Sequence, residues 1–381
     1  MTARAAAVLV AALCLLPATS FAATVYMKDG RKLEGEIIER TEKALKIKLA
    51  NGKIETVKPS DVKSIDEPPP PPPKVASNET GDAPVDARSK EYERWLETQL
   101  AVAIAELVVV RGDHPVAELK QIAEAADKTA RHFCTTFGCQ PADALRDNRY
   151  GASRIEIFQF WKEDGYLAFC DKVLARIRDE TVEDARLALM RRQRGFWIMT
   201  PRALMAQYQG PSDLVTSISQ ACHKTSHVML TGWKPSGTFM PWWLYEGLAS
   251  WQEFAVLGET RTYCLDLARP ADYTRGATPD ADEEAKSRRE DGWRARVKQM
   301  VARHDEKDLA RLGKMALNEL TLPEVQQSWS VVDWLHQTAR LKEFVTAYKD
   351  TRDLDAACRQ ALGVPTAAAH DQWRSWVARV Y

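Results

Sequence analysis

The chain has 381 residues, 45% of them apolar and 28% charged, the composition of an ordinary globular protein. Lysine plus arginine equals aspartate plus glutamate at 53 each. A balanced chain has no global field to steer it to nucleic acid or to an anionic membrane surface, so neither is expected as a partner.

The first twenty-two residues carry a basic start at Arg4, an apolar stretch through Leu16 and a small-residue end at Ser20-Phe21-Ala22. That order reads as a secretory signal peptide cut after Ala22. Its apolar run is too short for a membrane span, and Leu13 stands before Cys14 where a lipoprotein site needs a small residue. No other stretch reaches eighteen apolar residues. The mature chain is therefore expected to be exported without a membrane span, into a Gram-negative periplasm. Six cysteines remain after removal of the signal: Cys134, Cys139, Cys170, Cys222, Cys264 and Cys358. In an oxidising compartment six cysteines allow fifteen pairings. Cys134 and Cys139 are the favoured pair because they are close in sequence, and the others read as small buried hydrophobes.

Residues 24–67 form a separate unit of short alternating runs, Val25-Tyr26-Met27 and Leu45-Lys46-Ile47-Lys48-Leu49. Turn signals at Asp29-Gly30 and Asn51-Gly52 punctuate them. Val57 to Ile65 supplies a last strand around a short turn, giving four or five strands and a small β-barrel. On the stretch Val25 to Ile37 this unit resembles the compact Sm-like or SH3-like barrels at the front of some exported bacterial proteins. Pro68 to Pro73 is a six-proline run. Polyproline is stiff, so residues 68–89 read as a spacer and a domain boundary.

The main domain is expected over 90–381. Tyr92, Trp95, Leu96, Leu100 and Ile104 recur at helical spacing. Asp113-His114-Pro115 reads as a cap before a helix carrying Leu119, Ile122, Ala126 and Phe133 on one face. Arg111-Gly112-Asp113 spells an adhesion tripeptide, best explained by chance. Arg154 to Trp161 and Gly195 to Met199 are strand candidates, and Tyr166 to Arg178 a helix. Ser212 can cap a helix with Leu214, Ile218, Ala221, Cys222 and Met229 packed inward. Pro241 starts another. The charged stretch Asp280 to Lys298 is expected to be an exposed arm. Helices are expected again over Leu309–Leu320, Val325–Leu341 and Asp371–Tyr381.

The chemistry concentrates between Ala221 and Phe254. His223 and His227 lie four apart, so on a helix both imidazoles project from one face, one turn apart. Eighteen residues then separate His227 from Glu246, room for a loop and a second helix that returns a carboxylate. Two imidazoles and one carboxylate with an open fourth position form the ligand set of a catalytic zinc.

The residues His223-Lys224-Thr225-Ser226-His227, followed by Trp243-Leu244-Tyr245-Glu246-Gly247-Leu248-Ala249, carry a second resemblance. The segment resembles the gluzincin metallopeptidases of the peptidase-MA-like branch, whose pattern is H-E-x-x-H, about eighteen residues, then W-L-x-E-G-x-A. The resemblance implies an α+β, mostly helical domain with a small N-terminal sheet lobe and a C-terminal helical lobe. It also implies zinc held by His223, His227 and Glu246, with a peptide or protein as ligand. Lys224 departs from it. The family has a glutamate there, which takes a proton from the metal-bound water. A lysine with an ordinary pKa of about 10.4 is cationic at neutral pH. It can swing away, lose its proton and ligate, or keep the metal out by pairing with Glu246. Glu253 is placed to orient a ligand from behind. Relatives also carry a tyrosine shortly before a Ser-Trp, whereas Val325-Gln326-Gln327-Ser328-Trp329 has none.

With two catalytic parts missing, the expectation is an exported pseudopeptidase that keeps a peptide-binding cleft. Two alternatives stand beside it. One is an active zinc peptidase recruiting Glu253 or a residue of the Asp280–Lys298 arm as base. The other is an adaptor that acts through the N-terminal barrel.

Overall fold

A computed structural model describes residues 23–41, 44–49, 51–66, 87–145, 154–177, 188, 190, 191, 195–199, 203–208, 214–234, 240–261 and 288–381. The signal segment 1–22, the proline run 68–73, Ser212, Cys264 and residues 280–287 lie outside the described residues. The chain divides into two compact units between Pro71 and Pro72, and its architecture is α+β.

In the first unit, strands β1 (Ala23–Met27), β2 (Lys32–Arg40), β3 (Leu45–Leu49), β4 (Ile54–Val57) and β5 (Val62–Asp66) form one antiparallel sheet in the order β4-β3-β2-β1-β5. Val25, Met27, Leu45, Ile47 and Val57 pack together on its inner face, as period-two alternation requires. Residues 57–65 hold the end of β4, a 3-10 turn at Pro59–Asp61 and most of β5.

The second unit opens with α1 (Ala87–Leu96). Helical spacing misleads beyond it. Glu97 adopts a left-handed φ of 58°, and Ala101–Ile104 is a strand, β6, so Ile104 is not helical. β7 (Val108–Gly112), β8 (Ile155–Phe160), β9 (Gly195–Ile198) and β10 (Leu204–Tyr208) complete a mixed sheet in the order β6-β7-β8-β10-β9. β7, β8 and β10 run parallel, and the outer strands β6 and β9 are antiparallel to their neighbours. β7 and β8 are buried throughout, which is why β7 lacks an alternating signature. α2 (Val116–Phe137) follows β7 and lays Leu119, Ile122, Ala126 and Phe133 against one face of the sheet. Residues 163–177, helical with a π stretch at Phe169–Leu174, join Tyr92 of α1 on the other face.

Arg111 is fully buried on that second face. Its Nε donates to Ser89 Oγ at 2.9 Å, and its guanidinium stands 3.7 Å from Glu156 Oε1. Tyr92 Oη donates to Glu156 Oε2 at 2.9 Å. The Arg-Gly-Asp tripeptide is thus structural: Arg111 ties α1 to the sheet, and Asp113 Oδ1 accepts from the Trp161 amide at 2.6 Å.

After a short α3 (Pro141–Ala144), the helices α6 (Leu214–Gly232) and α7 (Trp242–Leu257) carry His223, His227 and Glu246; α4 and α5 are Glu163–Ala168 and Ala175–Ile177. Lys349 of α11 (Leu341–Thr351) caps α6, its ammonium donating to the carbonyls of Leu230 and Trp233, where a cation meets the negative helix end. The described part of the charged arm is no arm. It forms α8 (Glu290–Arg303), and its Trp293 is fully buried against Phe254 and Trp329, because Trp293, Val297 and Val301 repeat at helical spacing among the charges. The stretch Leu309–Leu320 breaks into α9 (Leu309–Leu312) and a 3-10 turn. α10 (Leu322–Gln337) ends before Leu341, and α12 (Leu354–Leu362) and α13 (Thr366–Val380) complete the chain. No helix among the described residues is long and apolar enough to cross a membrane.

Replacing Arg111 by Met removes one partner of a buried charge pair and leaves the Glu156 carboxylate buried without its cation. Such a loss costs about 3–5 kcal/mol. Urea unfolding of Arg111→Met against the parent protein measures it.

Candidate metal centre

α6 sets out its polar residues one turn apart, Ser219, His223 and His227, along one face. α7 packs beside it with Glu246 and Glu253 two turns apart on the facing side. His223 Nε2 lies 3.3 Å from Glu246 Oε2, and His227 Nε2 lies 3.4 Å from Glu246 Oε1. One ligand atom from each of the three residues falls within 4.8 Å of the others, and all three residues are buried. The group can hold a metal ion.

The first histidine is held from behind. His223 Nδ1 donates to Glu253 Oε1 at 2.7 Å, which leaves Nε2 facing the centre. The second Glu253 oxygen accepts from Ser219 Oγ and, at 3.3 Å, from the Arg261 amide. His227 is wedged by rings: Trp197 of β9 at 5.5 Å and Tyr245 edge-on at 5.3 Å. Tyr245 Oη in turn shares a hydrogen bond with Thr231 Oγ1 at 2.8 Å. Gly247 lets α7 approach α10, because a Cβ there would stand 2.6 Å from the Ser328 carbonyl oxygen. The glycine of the Trp-Leu-x-Glu-Gly pattern is therefore a packing requirement.

Lys224 turns away from this group. Its ammonium donates to Gln207 Oε1 on β10 at 3.0 Å. Gln207 Nε2 donates to Gln159 Oε1 of the neighbouring strand at 2.7 Å and to the Ser217 carbonyl at 3.0 Å. Gln159 and Gln207 are register partners on parallel strands, so both side chains reach the same face of the sheet, under α6. Gly195 on β9 leaves the room: a Cβ there would collide with the Lys224 ammonium. Of the three resolutions open to Lys224, the side chain takes the first.

Burial holds the His227 imidazole down to about 4, with Glu246 pulling it up and His223 opposing. Burial by itself would raise the Glu246 carboxyl, but the imidazoles of His223 and His227 hold it well below the usual carboxylate range. At neutral pH the centre thus presents a carboxylate and a neutral His227, the protonation states that a cation needs. Both Glu246 oxygens are buried and, beyond the ion-pair contacts to His223 and His227, meet no hydrogen-bond donor among the described residues. Such a carboxylate is costly on its own, and a cation between it and the imidazoles would satisfy it. The residues fit a metal.

Sequence spacing locates His223, His227, Glu246 and Glu253. It does not reveal Gln159, Gln207, Ser217, Trp197 or Arg261, which meet the centre through the sheet or the backbone. Ser219 had a signal, four residues before His223. Val325-Gln326-Gln327-Ser328-Trp329 lies in α10, where Gln327 turns to the Lys307 backbone. No protein-family model matches the chain, and no curated protein matches it.

The His227 shift has a pH consequence. A folded value near 4 against about 6.5 unfolded means that the unfolded chain binds more protons between those limits. Stability is then full above pH 6.5 and falls as pH drops toward 4, by on the order of 3 kcal/mol at the acid end. Urea midpoints of metal-free protein at pH 7, 5.5 and 4.5 should fall in that order. His227→Gln should flatten the fall.

Proposed function

We propose that the protein is a gluzincin-like pseudopeptidase of the cell envelope. It binds zinc through His223, His227 and Glu246 and takes an extended peptide or protein segment as ligand without cleaving it. The observation that carries this reading is the hydrogen bond from Lys224 to Gln207. It leaves the three ligands converged and, at the same time, places no base where the family's glutamate would stand.

Other features point the same way. Glu253 has both oxygens engaged behind His223, so it positions that ring and is not available as a substitute base. The ligand side chains are fully buried, whereas a hydrolytic zinc keeps an open position for water and substrate. When bound, zinc supplies Lewis acidity. Here His223 and His227 from α6 and Glu246 from α7 would hold it as a cross-link between the two helices. β9 is the outer strand of its sheet, antiparallel to β10, and carries Trp197 against His227. An extended segment can add to such an edge by main-chain hydrogen bonds. The N-terminal sheet, with its order β4-β3-β2-β1-β5 and a 3-10 turn before the last strand, supports the Sm-like or SH3-like reading of that unit. Export rests on the signal pattern of residues 1–22.

Metal content of the purified chain tests this. The parent protein and Lys224→Glu should both carry near-stoichiometric zinc, and His223→Ala should carry none. Hydrolysis of unfolded casein by the parent protein should be undetectable. Parent protein that takes up no zinc, or zinc-dependent cleavage lost in His223→Ala, overturns the proposal.

A further inference from the structure

α2 ends in a Schellman turn built on two cysteines. Gly138 takes the left-handed conformation after the helix, with φ 53°. Its amide donates to the Thr135 carbonyl at 3.3 Å, and the Cys139 amide donates to the Cys134 carbonyl at 3.0 Å. Those are the 5→2 and 6→1 bonds of the motif, which usually brings an apolar contact between its first and last residues. Here Cys134 and Cys139 occupy those two positions, Cys134 in the hydrophobic core and Cys139 packed against it. Both are thiols in this structure, whereas sequence proximity favours a disulfide between them.

We propose that Cys134 and Cys139 are a dithiol site that a disulfide oxidant closes to an intramolecular disulfide, with Cys139 as the attacking thiol. The 6→1 bond holds the two backbones together across the helix end, and a disulfide needs such neighbours, with Cα atoms about 5.5–6 Å apart. Cys139 is the more accessible sulfur, partly exposed where Cys134 is buried. Burial raises both thiols. At Cys139 the neighbouring Cys134 thiol and the charge of Lys342 oppose that rise while Asp143 adds to it, whereas Cys134 is pushed up to about 12. The thiolate is the nucleophile, so Cys139 reacts first.

The exchange balances. The Cys139 thiolate attacks one sulfur of the oxidant, whose S–S bond breaks and releases one thiolate. Cys134 then attacks Cys139 Sγ in the mixed disulfide, its proton passing to the second departing thiolate. Two electrons leave the protein, and the oxidant becomes two thiols. Among the described residues Cys170, Cys222 and Cys358 do not compete: each is buried, with burial pushing its thiol up to about 12, 12 and 11. The closed ring would pin the turn from which α3 runs to meet Gly232 at the end of α6, where the Ala144 carbonyl leaves no space for a Cβ.

The test uses the full chain and oxidised glutathione. Both cysteines fall in the single tryptic peptide from His132 to Arg146, so mass spectrometry reads the bond directly. The expected result is a peptide lacking two hydrogens, resistant to iodoacetamide and restored by dithiothreitol. In Cys134→Ser the reaction should stall with glutathione on Cys139. In Cys139→Ser, Cys134 should stay unmodified. A parent peptide that still takes up two labels overturns the proposal, as does a stable glutathione adduct in the parent protein. Rapid glutathionylation of Cys134 in Cys139→Ser would overturn the assignment of the attacking thiol.

Discussion

The hydrogen bond between Lys224 and Gln207 decides what the candidate metal centre can be. An ammonium one residue from His223 would otherwise stand against any divalent cation, at a Coulomb cost that grows steeply in a buried site. A buried ammonium also cannot be left without acceptors. Gln207 meets that need from the neighbouring sheet, itself held by Gln159 and the Ser217 carbonyl. Gly195 supplies the space. The sheet thus does for Lys224 what a metal ligand cannot, and the two histidines remain facing Glu246.

The second constraint is the lateral packing of α6 and α7. Glu246 meets both imidazoles because Gly247 allows α7 to sit against α10, and because Lys349 anchors the far end of α6. Glu253 then closes the arrangement from behind through His223 and Ser219. His223 is held by Glu253 and His227 is wedged between Trp197 and Tyr245, which is how a binding constellation keeps its geometry with its side chains enclosed.

Much of this was legible in the chain itself. The four-residue step from His223 to His227 and the eighteen-residue interval to Glu246 follow from helix periodicity, and they place three groups at one point. The alternating runs before Pro68 mark a sheet. The rest was hidden for physical reasons. β7 and β10 are buried on both faces and lose the alternation that betrays a strand, while Ile104 mimics a helical repeat after α1 has ended. Trp293 sits in a run of charges, so composition suggests exposure where three apolar residues one face apart give a packed helix. The fate of Lys224 depends on two glutamines on separate strands, paired by a register that no local pattern encodes. Cys134 and Cys139 were visible as neighbours, but their meeting across a helix end depends on the left-handed Gly138.

The line of Ser219, His223 and His227 along α6 carries an implication for how this chain can vary. Each residue advances a helix by about 100°. One residue gained or lost between 219 and 227 would swing part of that line off the face toward α7 and toward the sheet. The same slip would separate Lys224 from Gln207. The centre and its lysine clamp are therefore phase-locked: point substitutions can edit them one at a time, but a change of length inside this span removes both together.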